Sequence, residues 1–150
     1  MLTGDIHSSW AMDIPAARTA TGYAPAGVEF VCPSVTSDGF YEAVRSSQPS
    51  ASAARAVATT QGLTGAVVAA NPWVRYLDGV GHGYTLIDVT PDRVQADFFL
   101  TPVPTESQPD PRVVATVQPV YARSWQTLAG SRRVSPASGP VGRRSDSPAG

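Results

Sequence analysis

Two neighbouring runs of alternating side chains constrain the fold of this chain most strongly. Residues 84–90 and 93–100 are rich in β-branched and aromatic residues, and a tight Pro-Asp turn separates them. Such runs around a two-residue turn predict a β-hairpin over residues 84–100. Every second residue of the second run is apolar: Val94, Ala96, Phe98 and Leu100. We therefore expect one face of the hairpin to lie in a core and the other to be wetter, with Asp88 and Asp97 at the surface.

The remaining sequence predicts a mixture of strands and helices around this hairpin. Small residues and prolines over residues 11–26 indicate a loop. Predicted elements are a strand over 27–32, a short helix over 39–47, an Ala-rich helix from 51 to about 60 with Ser50 as its N-cap, a second helical piece over 63–70, and strands over 112–117 and 120–128. We expect one α+β domain over residues 1–128. The Ser, Pro, Gly and Arg content of residues 129–150 predicts a disordered tail.

Composition excludes several classes of function. The net charge is −1, so no basic patch for nucleic acid or an anionic membrane is indicated. No apolar run is long enough to span a membrane, and the N-terminus lacks the basic and apolar regions of a signal peptide. Cys32 is the only cysteine, so no internal disulfide can form, and we expect it to behave as a small buried hydrophobe.

The chemically suggestive stretch is Gly-Asp-Ile-His-Ser at residues 4–8. If these residues form a strand, Asp5 and His7 point to the same side, because side chains alternate with a period of two. Carboxylate oxygen suits hard cations and imidazole suits zinc, iron or copper, so the pair is a candidate half of a metal site. A turn carrying a solvated histidine is the alternative interpretation of the same spacing.

Two further features favour the metal interpretation. Ser8 and Ser9 follow His7 directly and add hydroxyl and backbone donors where an anion could sit. The motif also lies at the first residues of the chain, so we expect the other half of the site to lie upstream and to be absent here.

Three other polar positions have both a structural and a functional interpretation. Asn71, followed by Pro72, is predicted to cap a turn through residues 73–77, with a contact to substrate as its functional alternative. His82 stands between glycines and is expected to be exposed in a mobile loop. The hydroxyl-rich segment 33–39 is either an ordinary connection or a loop that lines the site of Asp5 and His7.

Four blocks of this sequence, in the expected order, resemble the C-terminal part of the alkaline phosphatase D (PhoD-like) family. They are LTGDIHSSWA at 2–11, VEFVCPSVTS at 28–37, NPWVRY at 71–76 and GYTLIDVTP at 83–91. The Gly-Asp-x-His-Ser block is the most specific of them, and the Gly-Ser-Arg-Arg segment at 130–133 is also similar to the end of such proteins. The usual Asn-Pro-His of the family is Asn-Pro-Trp here.

The resemblance implies the C-terminal half of a metallophosphatase-type β-sandwich flanked by helices. It implies a metal-dependent alkaline phosphatase or phosphodiesterase acting on phosphate mono- and diesters, with iron and calcium as cofactors, other divalent metals being possible. Asp5 and His7 match the last metal-binding block of the family, while Ser8 and Asn71 become candidates for contacts to substrate or around the metals. Nothing in the chain matches the earlier metal-binding blocks, so no catalytic residue is assigned. Twin-arginine export is implied for the complete protein.

Two alternatives stay open at this point. The chain could be a non-catalytic β-rich binding or accessory module, in which residues 4–7 are a plain strand end. It could also belong to a different metal-dependent hydrolase that completes its site by oligomerising. The resemblance favours a fragment of a PhoD-like enzyme that is inactive alone because the upstream metal-binding motifs are missing.

Overall fold

The computed structural model describes residues 1–19, 22–108 and 110–142. Within them, two four-stranded sheets face each other and two helices flank them. In chain order the elements are β1 (Leu2–Thr3), β2 (Ser9–Thr19), β3 (Gly22–Val31), α1 (Phe40–Ser47), α2 (Ala53–Ala70), β4 (Val74–Asp78), β5 (Gly83–Val89), β6 (Arg93–Leu100), β7 (Val120–Leu128) and β8 (Ser135–Pro136). The predicted α+β sandwich is confirmed.

The two sheets divide the chain at residue 80. The first has the order β1-β3-β2-β4, with β1 parallel to β3 and the other neighbours antiparallel. The second is an antiparallel meander in the order β5-β6-β7-β8. Both helices lie in the connection between β3 and β4, which carries the chain from an inner strand, past β2, to the β4 edge of the first sheet.

The core lies between the two sheets. The Tyr76 ring from the first sheet lies 5.2 Å from that of Phe98 and 6.1 Å from that of Trp125, both in the second sheet, measured between ring centroids. The buried cluster around these rings consists of Ala11, Phe30, Ala96, Phe98, Trp125 and Val134. Aromatic pairs across the interface add to the burial of apolar area that holds the sheets together.

The predicted hairpin forms as β5 and β6, with Val89 opposite Val94 and Gly83 opposite Leu100. The expectation that Asp88 and Asp97 are surface residues is wrong, since their exposed fractions are 7% and 1%. Asp97 accepts hydrogen bonds from the Ser124 hydroxyl at 2.6 Å and the Val141 backbone N–H at 2.9 Å. The segment around Val141 covers the face of β6 that carries Asp97, so this polar face is buried.

The C-terminal segment also departs from its predicted disorder. Residues 135–136 form β8 against β7, and the Val134 N–H donates to the fully buried Asp13 carboxylate at 2.6 Å. Tyr23 donates a further hydrogen bond of 2.5 Å to Asp13. Buried carboxylates therefore hold residues 129–142 in place, because a buried charge must be paired and hydrogen-bonded. Residues 143–150 of the predicted tail lie outside the described residues.

The loop predicted over residues 11–26 is mostly a long antiparallel hairpin of β2 and β3. Pro15 stands opposite Pro25, and the register shifts on both sides of Pro15. Proline can lie in a strand at such irregularities because no ladder hydrogen bond is needed from it there. The alternation in this stretch is hidden by small residues, which explains the wrong prediction.

Both helices lie where the sequence predicted helical structure, but the continuity and the capping residues of α2 differ from the prediction. One helix, α2, runs through Gly62 without a break, and its N-cap is Ser52, which accepts from the Arg55 N–H, rather than Ser50. Asn71 caps the C-terminus of α2, and residues 74–78 form β4 rather than a helical turn. Residues 112–117 form turns, not a strand. Neither described helix combines the length and the apolar character that a membrane crossing requires.

Candidate metal centre

The Gly-Asp-Ile-His-Ser motif forms a tight loop between β1 and β2, not the strand that the alternation argument assumed. Asp5 and His7 both adopt left-handed backbone conformations, with φ of 74° and 54°. Non-glycine residues rarely do so, and such conformations are concentrated at functional sites. The period-two argument therefore does not apply to this pair, because residues 4–8 form a loop and not a strand.

The imidazole of His7 is oriented by a backbone carbonyl. Its Nδ1 lies 2.7 Å from the carbonyl oxygen of Asp38. A carbonyl oxygen can only accept, so Nδ1 carries the proton and, in the neutral ring, Nε2 holds the free lone pair. An N–H···O=C bond of this kind is the usual support of a metal-ligating histidine. The donor chemistry of His7 thus fits a metal ligand.

Asp5 is exposed at the tip of the loop. Across the described residues, no hydrogen bond or ion pair engages its carboxylate, although most other acidic side chains of the chain are paired with an arginine, a histidine or a hydroxyl. A free carboxylate two residues from an oriented imidazole supplies one oxygen and one nitrogen donor. This donor set suits a hard or intermediate metal ion.

Ser8 stabilises the motif loop through hydrogen bonds to neighbouring residues. It is fully buried, donates to the carbonyl oxygen of Ile6 at 3.3 Å and accepts from the indole N–H of Trp10 at 2.7 Å. Its hydroxyl proton is therefore already used within the loop. The contribution that this geometry supports is to fix the backbone between Asp5 and His7.

Asn71 is not brought to this loop. Its side-chain amide donates to the Val67 carbonyl at 2.7 Å, at the end of α2. The pairing of β2 with β4 sets Ser9 beside Asp78 and Met12 beside Val74, so Asn71 precedes the far end of β4. A strand advances by about 3.3 Å per residue, which separates Asn71 from the loop by roughly the length of β4. A contact of Asn71 to substrate stays a prediction.

The segment 33–39 passes directly beside the motif. Asp38 contacts the His7 ring, and a Cβ atom at Gly39 would lie only 2.7 Å from the His7 carbonyl oxygen. The closeness of the two backbones therefore requires glycine at position 39. The segment 33–39 therefore runs beside the motif loop, and its role in lining a functional site stays a prediction.

Sequence reasoning missed a buried ion pair next to this segment. His82, expected to be exposed, is only 4% exposed, and its Nε2 lies 3.0 Å from Oε1 of Glu42. Burial alone would raise the pKa of Glu42, yet hydrogen bonds from His82 and Gly39 lower it below its ordinary value. Burial likewise favours neutral His82, but the hydrogen bond and charge of Glu42 outweigh it and raise the pKa of His82.

These opposite shifts predict a definite pH dependence of stability. The Glu42 contribution is present above the ordinary carboxyl pKa of about 4.3 and is lost on acidification. The His82 contribution is present below the ordinary imidazole pKa of about 6.5 and is lost as the pH rises through the raised value. His82→Gln, which keeps a donor but no charge, should therefore cost most in unfolding free energy between about pH 4.5 and 6.5, roughly 1–3 kcal/mol.

Urea unfolding of both proteins from pH 4 to pH 9 measures this difference. The gap between them should close toward pH 9. A gap that does not change with pH would show that His82 is neutral throughout.

A cavity of about 360 Å³ adjoins the site between α1 and residues 104–112. Asp38, Glu42 and Arg112 lie on its wall. Arg112 makes an ion pair with Asp110 at 2.6 Å and a second one with Asp38. The hydrogen bond to Asp110 raises the pKa of Arg112, so its guanidinium stays charged beside the site.

No group of three or more metal-binding side chains is assembled anywhere in the described ranges. Cys32 is a free thiol and is half-buried, less buried than expected for a core hydrophobe. The structure places two candidate donors, Asp5 and His7, in one loop, and a backbone carbonyl orients the second of them. Two donors fall short of the four or more that metal sites in proteins use.

Comparisons with known proteins identify the family of this chain. A family described as PhoD-like phosphatase matches residues 1–98, well over half of the chain. The chain belongs to the PhoD-like phosphatase family. The match contains the site loop, the 33–39 segment, both helices and nearly all of the β5–β6 hairpin.

A solved structure described as "Structure of PhoD" is also similar, with a TM-score of 0.56 and 22% sequence identity. The alignment covers 93% of this chain and 22% of that one, so the chain spans less than a quarter of the length of that PhoD protein. At this identity the likeness shows a shared fold for this part of a PhoD-like phosphatase. No curated protein matches the chain.

Proposed function

We propose that this chain is part of a metal-dependent PhoD-like enzyme that hydrolyses phosphate mono- or diesters, and that Asp5 and His7 are two of its metal ligands. The observation that carries the proposal is the hydrogen bond from His7 Nδ1 to the Asp38 carbonyl, which frees Nε2 for a metal. The unpaired Asp5 carboxylate beside it and the family membership support the same assignment.

Iron and calcium are the metals that we propose, because an imidazole nitrogen suits iron and a carboxylate oxygen suits calcium. Such cations polarise a phosphate group and favour attack by water on phosphorus. The residues of this chain hold the site for that reaction. Asp5 and His7 would bind the metals. Ser8 and Asp38 fix the orientation of these ligands, and the missing side chain of Gly39 lets the 33–39 segment approach the backbone of His7.

We propose that the remaining ligands come from polypeptide other than residues 1–150. The described residues supply two donors, while calcium takes roughly six to eight oxygens and transition metals about four ligands. The small share of the PhoD structure that this chain covers agrees with that view. Export from the cell, by the twin-arginine route, belongs to the same proposal for the complete protein.

The 150-residue chain alone is accordingly expected to be inactive and to bind metal weakly. After dialysis, elemental analysis should find well under one equivalent of iron or calcium. Hydrolysis of bis-p-nitrophenyl phosphate should not exceed that of buffer with the same metals. One equivalent of retained metal together with steady turnover would contradict this prediction and mean that other residues of the chain complete the site.

The activity itself is tested on the chain joined to the protein encoded immediately upstream of it. Turnover of bis-p-nitrophenyl phosphate or p-nitrophenyl phosphate that chelation abolishes and metal restores would support the phosphatase. If such a region exists in frame and the joined protein binds metal without turnover, the non-catalytic accessory module is favoured. Turnover by the chain alone, only at concentrations where it oligomerises, would favour the hydrolase that completes its site between subunits.

A further inference from the structure

The buried pair of Glu42 and His82 has no part in the proposed chemistry, yet it is connected to the site by an unbroken series of contacts. His82 is the last residue of the link between the two sheets, directly before β5. Its Nε2 lies 3.0 Å from Oε1 of Glu42, and its Nδ1 lies 3.3 Å from the carbonyl oxygen of Ser34. One imidazole therefore holds both α1 and the start of the 33–39 segment.

The other oxygen of Glu42 continues the series. Oε2 accepts a hydrogen bond of 2.8 Å from the backbone N–H of Gly39. That N–H belongs to the same peptide unit as the carbonyl of Asp38, which accepts the hydrogen bond from His7 Nδ1 at 2.7 Å. A peptide unit is planar, and a trans peptide points its C=O and N–H in opposite directions. Glu42 and His7 therefore form hydrogen bonds to opposite sides of the rigid Asp38–Gly39 peptide unit.

We propose that Glu42 and His82 are positioning residues for His7: they fix the Asp38–Gly39 peptide so that its carbonyl holds the proton on Nδ1 and leaves Nε2 free to bind. If the peptide rotates, the carbonyl leaves Nδ1, and the proton of a neutral imidazole is free to move to Nε2. A ring with its proton on Nε2 cannot bind a metal through that atom. The inference rests on the proposed ligand role of His7.

Other contacts of the Asp38–Gly39 peptide cannot replace the hydrogen bond from Gly39 to Glu42. Arg112 pairs with the Asp38 carboxylate, but that side chain rotates independently of the Asp38 carbonyl. The hydrogen bond of Glu42 to the Gly39 N–H acts on the peptide plane itself. Loss of the His82 hydrogen bond would in turn free the Glu42 carboxylate to turn away from Gly39, because His82 is its main side-chain partner.

The test reads the tautomer of His7 directly. Long-range proton–nitrogen NMR spectra, recorded on the 150-residue chain at about pH 8 without metal, distinguish a protonated Nδ1 from a protonated Nε2. The chain has two histidines, so spectra of His82 variants contain the His7 signals alone. The wild type should show the proton of His7 on Nδ1. In Glu42→Ala and in His82→Ala, the population with the proton on Nε2 should rise several-fold.

Two variants separate positioning from general loss of structure. His82→Gln keeps a donor for Glu42 and should restore most of the wild-type tautomer of His7. Glu106→Ala removes a matched carboxylate, which accepts from the N–H of Ala53 at the start of α2 and pairs with Arg45, and should leave His7 unchanged. An equal shift in Glu106→Ala would overturn the proposal in favour of a loss of packing around the helices.

An unchanged His7 tautomer in both alanine variants, with backbone amide spectra that stay folded, would also overturn it. If Glu42→Ala fails to fold because α1 loses its cap, His82→Ala decides, since that variant retains the Glu42 side chain that caps α1. The measurement uses no metal and no substrate. It can therefore fail while the phosphatase assay succeeds, or succeed while that assay fails.

Discussion

Replacement of Asp5 by asparagine is expected to lower kcat/KM of the joined, active protein by more than about 100-fold at limiting metal. Loss of a residue that merely supports a metal ligand costs about 10–100-fold, and Asp5 is proposed as a ligand itself. Asparagine adopts left-handed backbone conformations as readily as aspartate, so the φ of 74° at position 5 can be retained. The change removes one negative charge and leaves the fold intact.

The measurement is turnover of bis-p-nitrophenyl phosphate over a range of metal concentrations, with bound metal counted in the same samples. Excess metal should recover part of the lost activity, because the variant is impaired in binding rather than in folding. Asp92→Asn is the matched control, since Asp92 is an exposed aspartate in the turn between β5 and β6. Wild-type turnover of Asp5→Asn at limiting metal would remove Asp5 from the site.

The sequence predicted the second sheet better than the first. Strand β6 alternates apolar and polar residues from Arg93 to Phe98, so its period is visible without any neighbour. Nine of the 21 residues of β2 and β3 are alanine, glycine or proline, and their burial is set by the pairing of the two strands rather than by either pattern alone. Propensity is weak information for strands whose neighbours supply the packing.

The same limit explains the errors around the site. Glycines beside His82 suggested a mobile loop, whereas a Cβ at Gly81 would lie 2.9 Å from the Leu100 side chain and one at Gly83 only 2.0 Å from the Phe99 carbonyl oxygen. Those glycines allow close packing, which buries the histidine between them. Glycine content cannot distinguish the two cases, because both require a missing side chain.

Asp5 and His7 could be found from the sequence, while the groups that orient them could not. Their types and spacing are local, so a motif can identify them. The Asp38 carbonyl comes from 31 residues away, and His82 is a further 40 residues beyond Glu42. A backbone carbonyl has no sequence signature, and only the folded chain places it against the imidazole.

Phe98→Ala is expected to lower the free energy of unfolding by about 3–5 kcal/mol. The Phe98 side chain is completely buried between the sheets and packs against the Tyr76 ring at a centroid distance of 5.2 Å. Truncation removes the transfer free energy of the ring and leaves a cavity that rigid strands on both sides cannot close. Urea unfolding of the 150-residue chain measures the loss.

Phe99→Ala is the control that makes this a test of the strand register. Phe99 is the same residue type one position along, points to the opposite face of β6, and lies half-buried between Tyr84 and Tyr121 at centroid distances of 5.1 and 5.9 Å. Because the outer face can relax into solvent, its loss should stay below about half that of Phe98→Ala. A one-residue slip of β6 would exchange the two faces and reverse the order of the two variants. The ranking of Phe98→Ala against Phe99→Ala therefore decides which face of the hairpin packs against the sheet that carries Asp5 and His7.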